Sequence, residues 1–193
     1  MDAMKVSALR EALAGSELLR TTRAFAGSLR GSVTRRSARG LLLVGTAAHE
    51  PWHLAAHLDD EAAWSGVPGL APALIRHRVP VDAPAHLRHG LPRLADAGRG
   101  ETVLVVAPDR AGDGLLERVA DARRGGATVL ALEAGDRELV GLAHESLTVP
   151  AADESGFDLV QHLVSSAAAE SRRAESRLAR LLRQFTVAPV SRW

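Results

Sequence analysis

Residues 101–150 read ETVLVVAPDRAGDGLLERVADARRGGATVLALEAGDRELVGLAHESLTVP, and this order of apolar runs, glycines and helical spacing predicts strand, loop, helix, strand, short helix, strand. Parallel strands need a crossover of a dozen or more residues, usually a helix, so the rhythm predicts a parallel α/β sheet. Strands are expected at Thr102 to Ala107, Ala127 to Leu132 and, shorter, Ser146 to Val149, with a helix over Gly114 to Arg124. The loop APDRAGDG follows a buried strand and precedes a helix. Open α/β sheets place their ligands at such a carboxyl edge.

Upstream, Leu41 to Gly45 reads LLLVG, an unbroken apolar run expected of a strand buried on both faces. A helix is expected from Pro51, whose ring suits the first turn, to about Trp64. A short strand around Ala73 to Arg76 and a helix begun or broken near Pro92 complete the middle of the chain. Ahead of the sheet, Val6, Leu9, Leu13, Leu18, Phe25 and Leu29 recur at three- and four-residue intervals and predict one or two amphipathic helices. The expected whole is one domain over residues 1–193: N-terminal helices in 1–40, an α/β core in 41–150 and a long C-terminal helix in 155–186. Its class is a three-layer α/β sandwich around a central parallel sheet of about five strands, flavodoxin-like in plan.

At 193 residues and 46% hydrophobic, the chain has enough for one sizeable core. It has no cysteine, so disulfides and thiolate metal sites are excluded. No apolar run approaches the roughly 20 residues needed to span a bilayer, and the N-terminal residues mix charges with apolar side chains unlike a secretory leader. A cytoplasmic location with no membrane partner is the expectation. The net charge of +1 exerts no global pull toward nucleic acid, and Lys5 is the only lysine. Locally, Arg20, Arg23, Arg30, Arg35, Arg36 and Arg39 follow one another with no acid between Glu17 and Glu50. With few aromatic residues to stack on bases, that run reads as a solvated helix face and linker, and nucleic acid is not an expected partner.

The last helix carries Leu159, Leu163 and Val164, then Leu178, Leu181, Leu182 and Phe185 at helical spacing, with arginines between them. Together with the terminal Trp193, this amphipathic arm predicts a homodimer or homotetramer contact.

The strand ending in Gly45, the frame GATVLAL, GLAH and LTVP, and a final helix opening with FDLVQH are similar to the sugar isomerase (SIS) domain family, most of all to its phosphoheptose isomerases, over roughly residues 5–170. The resemblance implies a sugar-phosphate site on the loops after the first and third strands, with hydroxyls and amides of a serine-rich loop holding the phosphate. Here that loop is Pro108, Asp109, Arg110, Ala111, Gly112, Asp113 and Gly114, without Ser or Thr, so the phosphate loop is degenerate. Pro108 removes an amide donor, and two carboxylates oppose an anion that Arg110 could attract. Candidate substrate-binding residues are therefore Gly45, Thr46, Arg110 and Gly112.

The segment His53-Leu-Ala-Ala-His57-Leu is similar to the His-Phe-Ala-Ala-Glu-Leu segment of phosphoheptose isomerases, whose His and Glu help to bind zinc; His57 stands at the Glu position, and a spacing of four puts His53 and His57 on one helical face. The resemblance places further ligands on the last helix, where Gln161 matches the first, Ala169 stands at the second, and His162 is expected to point elsewhere. Zinc on His53 and His57 is thus one expectation, and the absence of any cofactor the other. HEPWH, His49 to His53, matches a zinc peptidase pattern, but Pro51 is expected to start the helix and leave His49 outside it. Asp59, Asp60 and Glu61 read as a helix polar face. Glu133 and Asp136 stand on the ligand side as acid and base or as a polar loop, and His86 and His89 carry no assignment.

Three functional readings follow. The first is a binding protein for a sugar phosphate derivative or other small anion, without turnover. The second is a metal-assisted phosphosugar isomerase, and the third a structural subunit that uses the fold to oligomerise.

Overall fold

In the computed structural model, which describes residues 17–84, 87–149 and 154–170, five parallel strands form one sheet in the order β2-β1-β3-β4-β5. The strands are β1 Gly40–Gly45, β2 Pro72–Ile75, β3 Glu101–Ala107, β4 Thr128–Glu133 and β5 Glu145–Thr148. The helices are α1 Glu17–Thr34, α2 Trp52–Ser65, α3 Pro92–Ala95, α4 Asp113–Arg124, α5 Arg137–Leu142 and α6 Glu154–Ala169. A 3-10 turn, Pro68–Leu70, leads into β2. The expected sandwich is present, with every strand of residues 101–150 within a residue of its expected bounds.

The period of two along each strand divides the core. Leu41, Leu43, Leu104, Val106, Leu130 and Leu132 face the layer of α1, α2 and α6 and meet Phe25, Leu29, Leu54, Leu58, Phe157 and Val164. Their neighbours Leu42, Val44, Val103, Val105, Val129 and Ala131 face α3, α4 and α5 and meet Leu94, Leu115, Val119 and Leu139. Both faces of the three central strands are thus covered, which is why these strands read as continuous apolar runs rather than as alternation. Arg30 Nη1 donates to the carbonyls of Ala168 and Ala169 at 2.9 and 3.0 Å, so α1 caps the carboxyl end of α6.

Residues 1–16, His86, the helix arm beyond 170 and Trp193 lie outside the described residues, so the expectations placed on them have no counterpart here. Among the described residues no helix is long and apolar enough to cross a membrane.

Candidate functional site

The strand order reverses between β1 and β3, and at such a switch point the loops after the two strands diverge to opposite faces of the sheet's carboxyl edge, where open α/β folds place ligands. The β1–α2 loop folds tightly back over Gly45, where an added Cβ would lie 1.8 Å from the His49 carbonyl oxygen. Gly45 O is bonded to His77 Nε2 at 2.9 Å. Its glycine therefore serves the close approach of its own loop. Thr46 is buried, and its hydroxyl donates to Asp109 Oδ1 at 2.5 Å while accepting from His49 N at 3.2 Å. Thr46 and Asp109 thereby latch the first loop to the third.

Internal carboxylates also claim the next donors. Asp136 is the N-cap of α5, accepting from Glu138 N and Leu139 N at 3.0 and 3.1 Å. Its other oxygen accepts from Ala111 N at 2.8 Å, which ties the β3–α4 loop to the β4–α5 loop. Glu133, fully buried, accepts from Gly135 N, from Asp136 N at 2.7 Å and from the Thr148 hydroxyl at 2.5 Å. Gly135 sits at φ +105°, a conformation side chains resist. Of the two roles open to Glu133 and Asp136, these bonds fit the polar loop: both carboxylates brace turns.

Between these loops lies a cleft of about 320 Å³ lined by Asp109, Arg110, Ala134, Gly135, Asp136, Arg137 and Glu138. Arg110 Nη2 pairs with Glu138 at 3.1 Å, with both side chains mostly exposed. An exposed pair of this kind contributes about 0–1 kcal/mol and opens readily. Arg137 is exposed and forms no ion pair among the described residues. Two residues beyond Arg110, outside the cleft's lining, α4 begins after Gly112, an extended N-cap with no side-chain cap, and space is open above Gly112 and Gly114. The positive end of a twelve-residue helix faces that space.

A second cluster sits where α2 packs on α6. His53 and His57 share a helical face, with ring centres 5.9 Å apart. Contrary to the expected direction of His162, its ring packs 4.0 Å from His57 and 6.2 Å from His53. It does so because α6 turns residues 160–164 toward α2 and the sheet, burying His162 with Val160 and Val164. Gln161, also buried, spends its Nε2 on Asp158 at 2.9 Å, and its Oε1 has no partner. Two imidazoles sharing a zinc at about 2.0–2.1 Å per nitrogen hold their rings further apart than the touching rings of His57 and His162. Among the described residues no group of three or more His, Asp or Glu side chains is arranged to hold a metal ion. His49 lies outside α2, its ring edge-on to Phe157 at 6.3 Å, so the HEPWH register is broken as Pro51 predicts.

Burial lowers the pKa of His57, helped by the neighbouring His53 and opposed by Asp60. Burial, then His57 and His53, lower that of His162, opposed by Asp158. Both groups are held neutral when folded below a pH at which the unfolded chain, with histidines near about 6.5, already binds protons. The unfolded state then binds more protons, so their contribution to stability is full above about pH 6.5 and is lost as pH falls through the depressed folded values. Urea midpoints measured from pH 8 to 5 are expected to fall more steeply for the parent than for His57→Gln/His162→Gln. Parallel curves would show that the cluster does not resist protonation.

Arg137, the brace formed by Glu133 and Asp136, and the turn of His162 were not legible as site features. The N-cap pattern Asp136-Arg137-Glu138 before an apolar residue was the one signal available.

No family model and no curated protein matches the chain. Solved structures do. The sugar isomerase domain of an RpiR transcription factor from Sphaerobacter thermophilus is 16% identical with a TM-score of 0.52, over 84% of this chain and 85% of that one. The Vibrio vulnificus NanR protein complexed with ManNAc-6P is 13% identical with a TM-score of 0.55, over 97% of this chain and 71% of that one. A candidate sugar binding protein from Salmonella typhimurium LT2 is 19% identical with a TM-score of 0.51 over 86% of this chain, which spans half the length of that one. At these identities the likeness is one of architecture, and the chain has the fold of a sugar isomerase domain.

Proposed function

We propose that the chain is a binding domain for a small anionic ligand of the sugar phosphate class, and that it binds without turnover. The observation that carries this is the cleft between the β3 and β4 loops, where Arg110 and Arg137 are available while Asp109 and Asp136 are already engaged by a hydroxyl and by backbone amides. Carboxylates fixed in this way keep their charge but do not compete for Arg110 and Arg137, and they are poorly placed to shuttle a proton. A phosphate entering the cleft would exchange the weak Arg110–Glu138 pair for a charge-assisted bond and meet Arg137 and the open start of α4. The NanR structure, which holds ManNAc-6P, supports the choice of ligand class.

The test is a thermal-shift panel of sugar phosphates against the parent, Arg110→Ala and Arg137→Ala. Ligand at a hundred times its Kd stabilises by about 2.7 kcal/mol, which for a domain of this size raises Tm by about 5–10 °C. Arg137→Ala is expected to remove more than half of that shift while leaving the ligand-free Tm within about 1 °C, because an exposed side chain is lost. No shift with any sugar phosphate defeats the proposal. Turnover of a phosphosugar that His57→Ala abolishes would replace it with the isomerase.

A further inference from the structure

Opposite the cleft, at the amino ends of the strands, the fold gathers three loops that are distant in sequence. Residues 35–40 precede β1, residues 96–100 precede β3 and residues 124–127 precede β4, and these strands are neighbours in the sheet. Arg39 N donates to Gly100 O at 2.9 Å, and Arg35 Nη2 donates to Thr128 Oγ1 at 2.8 Å. A Cβ on Gly126 would lie 3.6 Å from that of Arg99, so the second and third loops touch. Arg36, Arg39 and Arg99 are exposed and form no ion pair among the described residues. The acids close by are mostly committed: Glu101 pairs with Arg93, and Asp121 with Arg118 and Arg124, which leaves Asp96.

We propose that this rim docks the phosphate backbone of double-stranded nucleic acid. Its chemistry separates that partner from the other polyanions. Residues 35–40, 96–100 and 124–127 contain no apolar side chain larger than alanine. Protein interfaces need aromatic or aliphatic anchors, membrane surfaces need Trp, Phe or Leu, and single strands need stacking rings. A duplex backbone needs only charge and close approach. Guanidinium forks fit phosphate oxygens, the rim's glycines and alanines allow the approach, and β1 and β3, neighbours about 4.8 Å apart, bring the loop of Arg99 beside that of Arg36 and Arg39. Read along the sequence, Arg35 to Arg39 is a short basic linker; the fold adds Arg99 to it and makes a surface.

The test is anisotropy of a short fluorescent duplex titrated with the full chain over a range of salt concentrations. Three unpaired arginines predict that the slope of log K against log salt is steeper by about 2.7 in the parent than without them, an additional affinity loss of about fortyfold between 50 and 200 mM salt. The triple variant Arg36→Glu/Arg39→Glu/Arg99→Glu is expected to bind at least about tenfold more weakly at low salt, with unchanged Tm, since these side chains are exposed. Residues 171–193, with arginines of their own, are present in both proteins, so their contribution cancels. Equal affinity of parent and triple variant, no binding at low salt, or a preference for polyglutamate or anionic vesicles over the duplex would each overturn the proposal.

Discussion

Glu133→Ala is expected to lower unfolding stability by about 3–5 kcal/mol, a large part of the total of a single domain. The side chain is fully buried at the end of β4 and accepts from Gly135 N, Asp136 N and the Thr148 hydroxyl. Truncation removes three bonds to a charged acceptor, each contributing about 1.5–3 kcal/mol, and although the exposed Gly135 and Thr148 can turn to water, the half-buried Asp136 amide loses its partner. The damage also spreads, because the two amides belong to the turn that aims Asp136 at Ala111 N and at the start of α5. Glu133→Gln isolates the cause. Its amide oxygen can still accept from both backbone donors, and its NH2 can donate to the Thr148 hydroxyl, so a cost of about 1 kcal/mol is expected. Urea unfolding of the three proteins decides the point. Equal losses in the alanine and glutamine variants would mean that the carboxylate's charge, not its hydrogen bonds, braces the turn. In the alanine variant the sugar phosphate shift should shrink with stability, since Ala134 to Arg137 form one wall of the cleft.

The legible part of this molecule was whatever a strand or helix must bury. LLLVG, TVLVVA and TVLALE are apolar on both faces because helices cover both faces, and nothing else in the chain competes for that pattern. Pro51 and Pro92 marked helix starts through their missing amides. The site was less legible, for two physical reasons. First, a carboxylate in sequence has no direction: Asp109 looked like a charge repelling phosphate, and in the fold it is taken up by Thr46. Second, side chains on a helix are aimed by what the helix packs against. His162 was assigned away from the His53 and His57 face on spacing alone, yet the packing of α6 on α2 turns it into that face. No motif marks Arg137, an exposed arginine that forms no ion pair among the described residues.

Gly45→Ala is expected to be as damaging as the loss of Glu133, about 3–5 kcal/mol, through contact alone. The glycine is not in the left-handed region, so its backbone would accept a side chain. What forbids one is the return of the β1–α2 loop: the new Cβ would lie 1.8 Å from His49 O and 2.7 Å from Pro51 Cδ. Neither atom can yield cheaply. His49 is held by its amide's bonds to Thr46 O and Oγ1, both 3.2 Å, and Pro51 O accepts from Ala55 N at 3.0 Å as α2 begins. Moving them pulls Thr46 away from Asp109, and with that latch gone the Asp109 carboxylate is released toward the cleft as a free charge. The variant should therefore lose ligand stabilisation beyond what its lower stability explains, whereas Thr46→Val, which removes the latch and the bond from His49 N to Oγ1 but keeps His49 N on Thr46 O, should lose the ligand shift at a smaller cost of about 1–2 kcal/mol. Gly112→Ala is the control, since its Cβ meets open space and its extended backbone is unstrained; the only cost is that of a poorer N-cap, about 0.5–1 kcal/mol. Urea midpoints of Gly45→Ala and Gly112→Ala that moved by similar amounts would show that the close approach over Gly45 is not what fixes the loop.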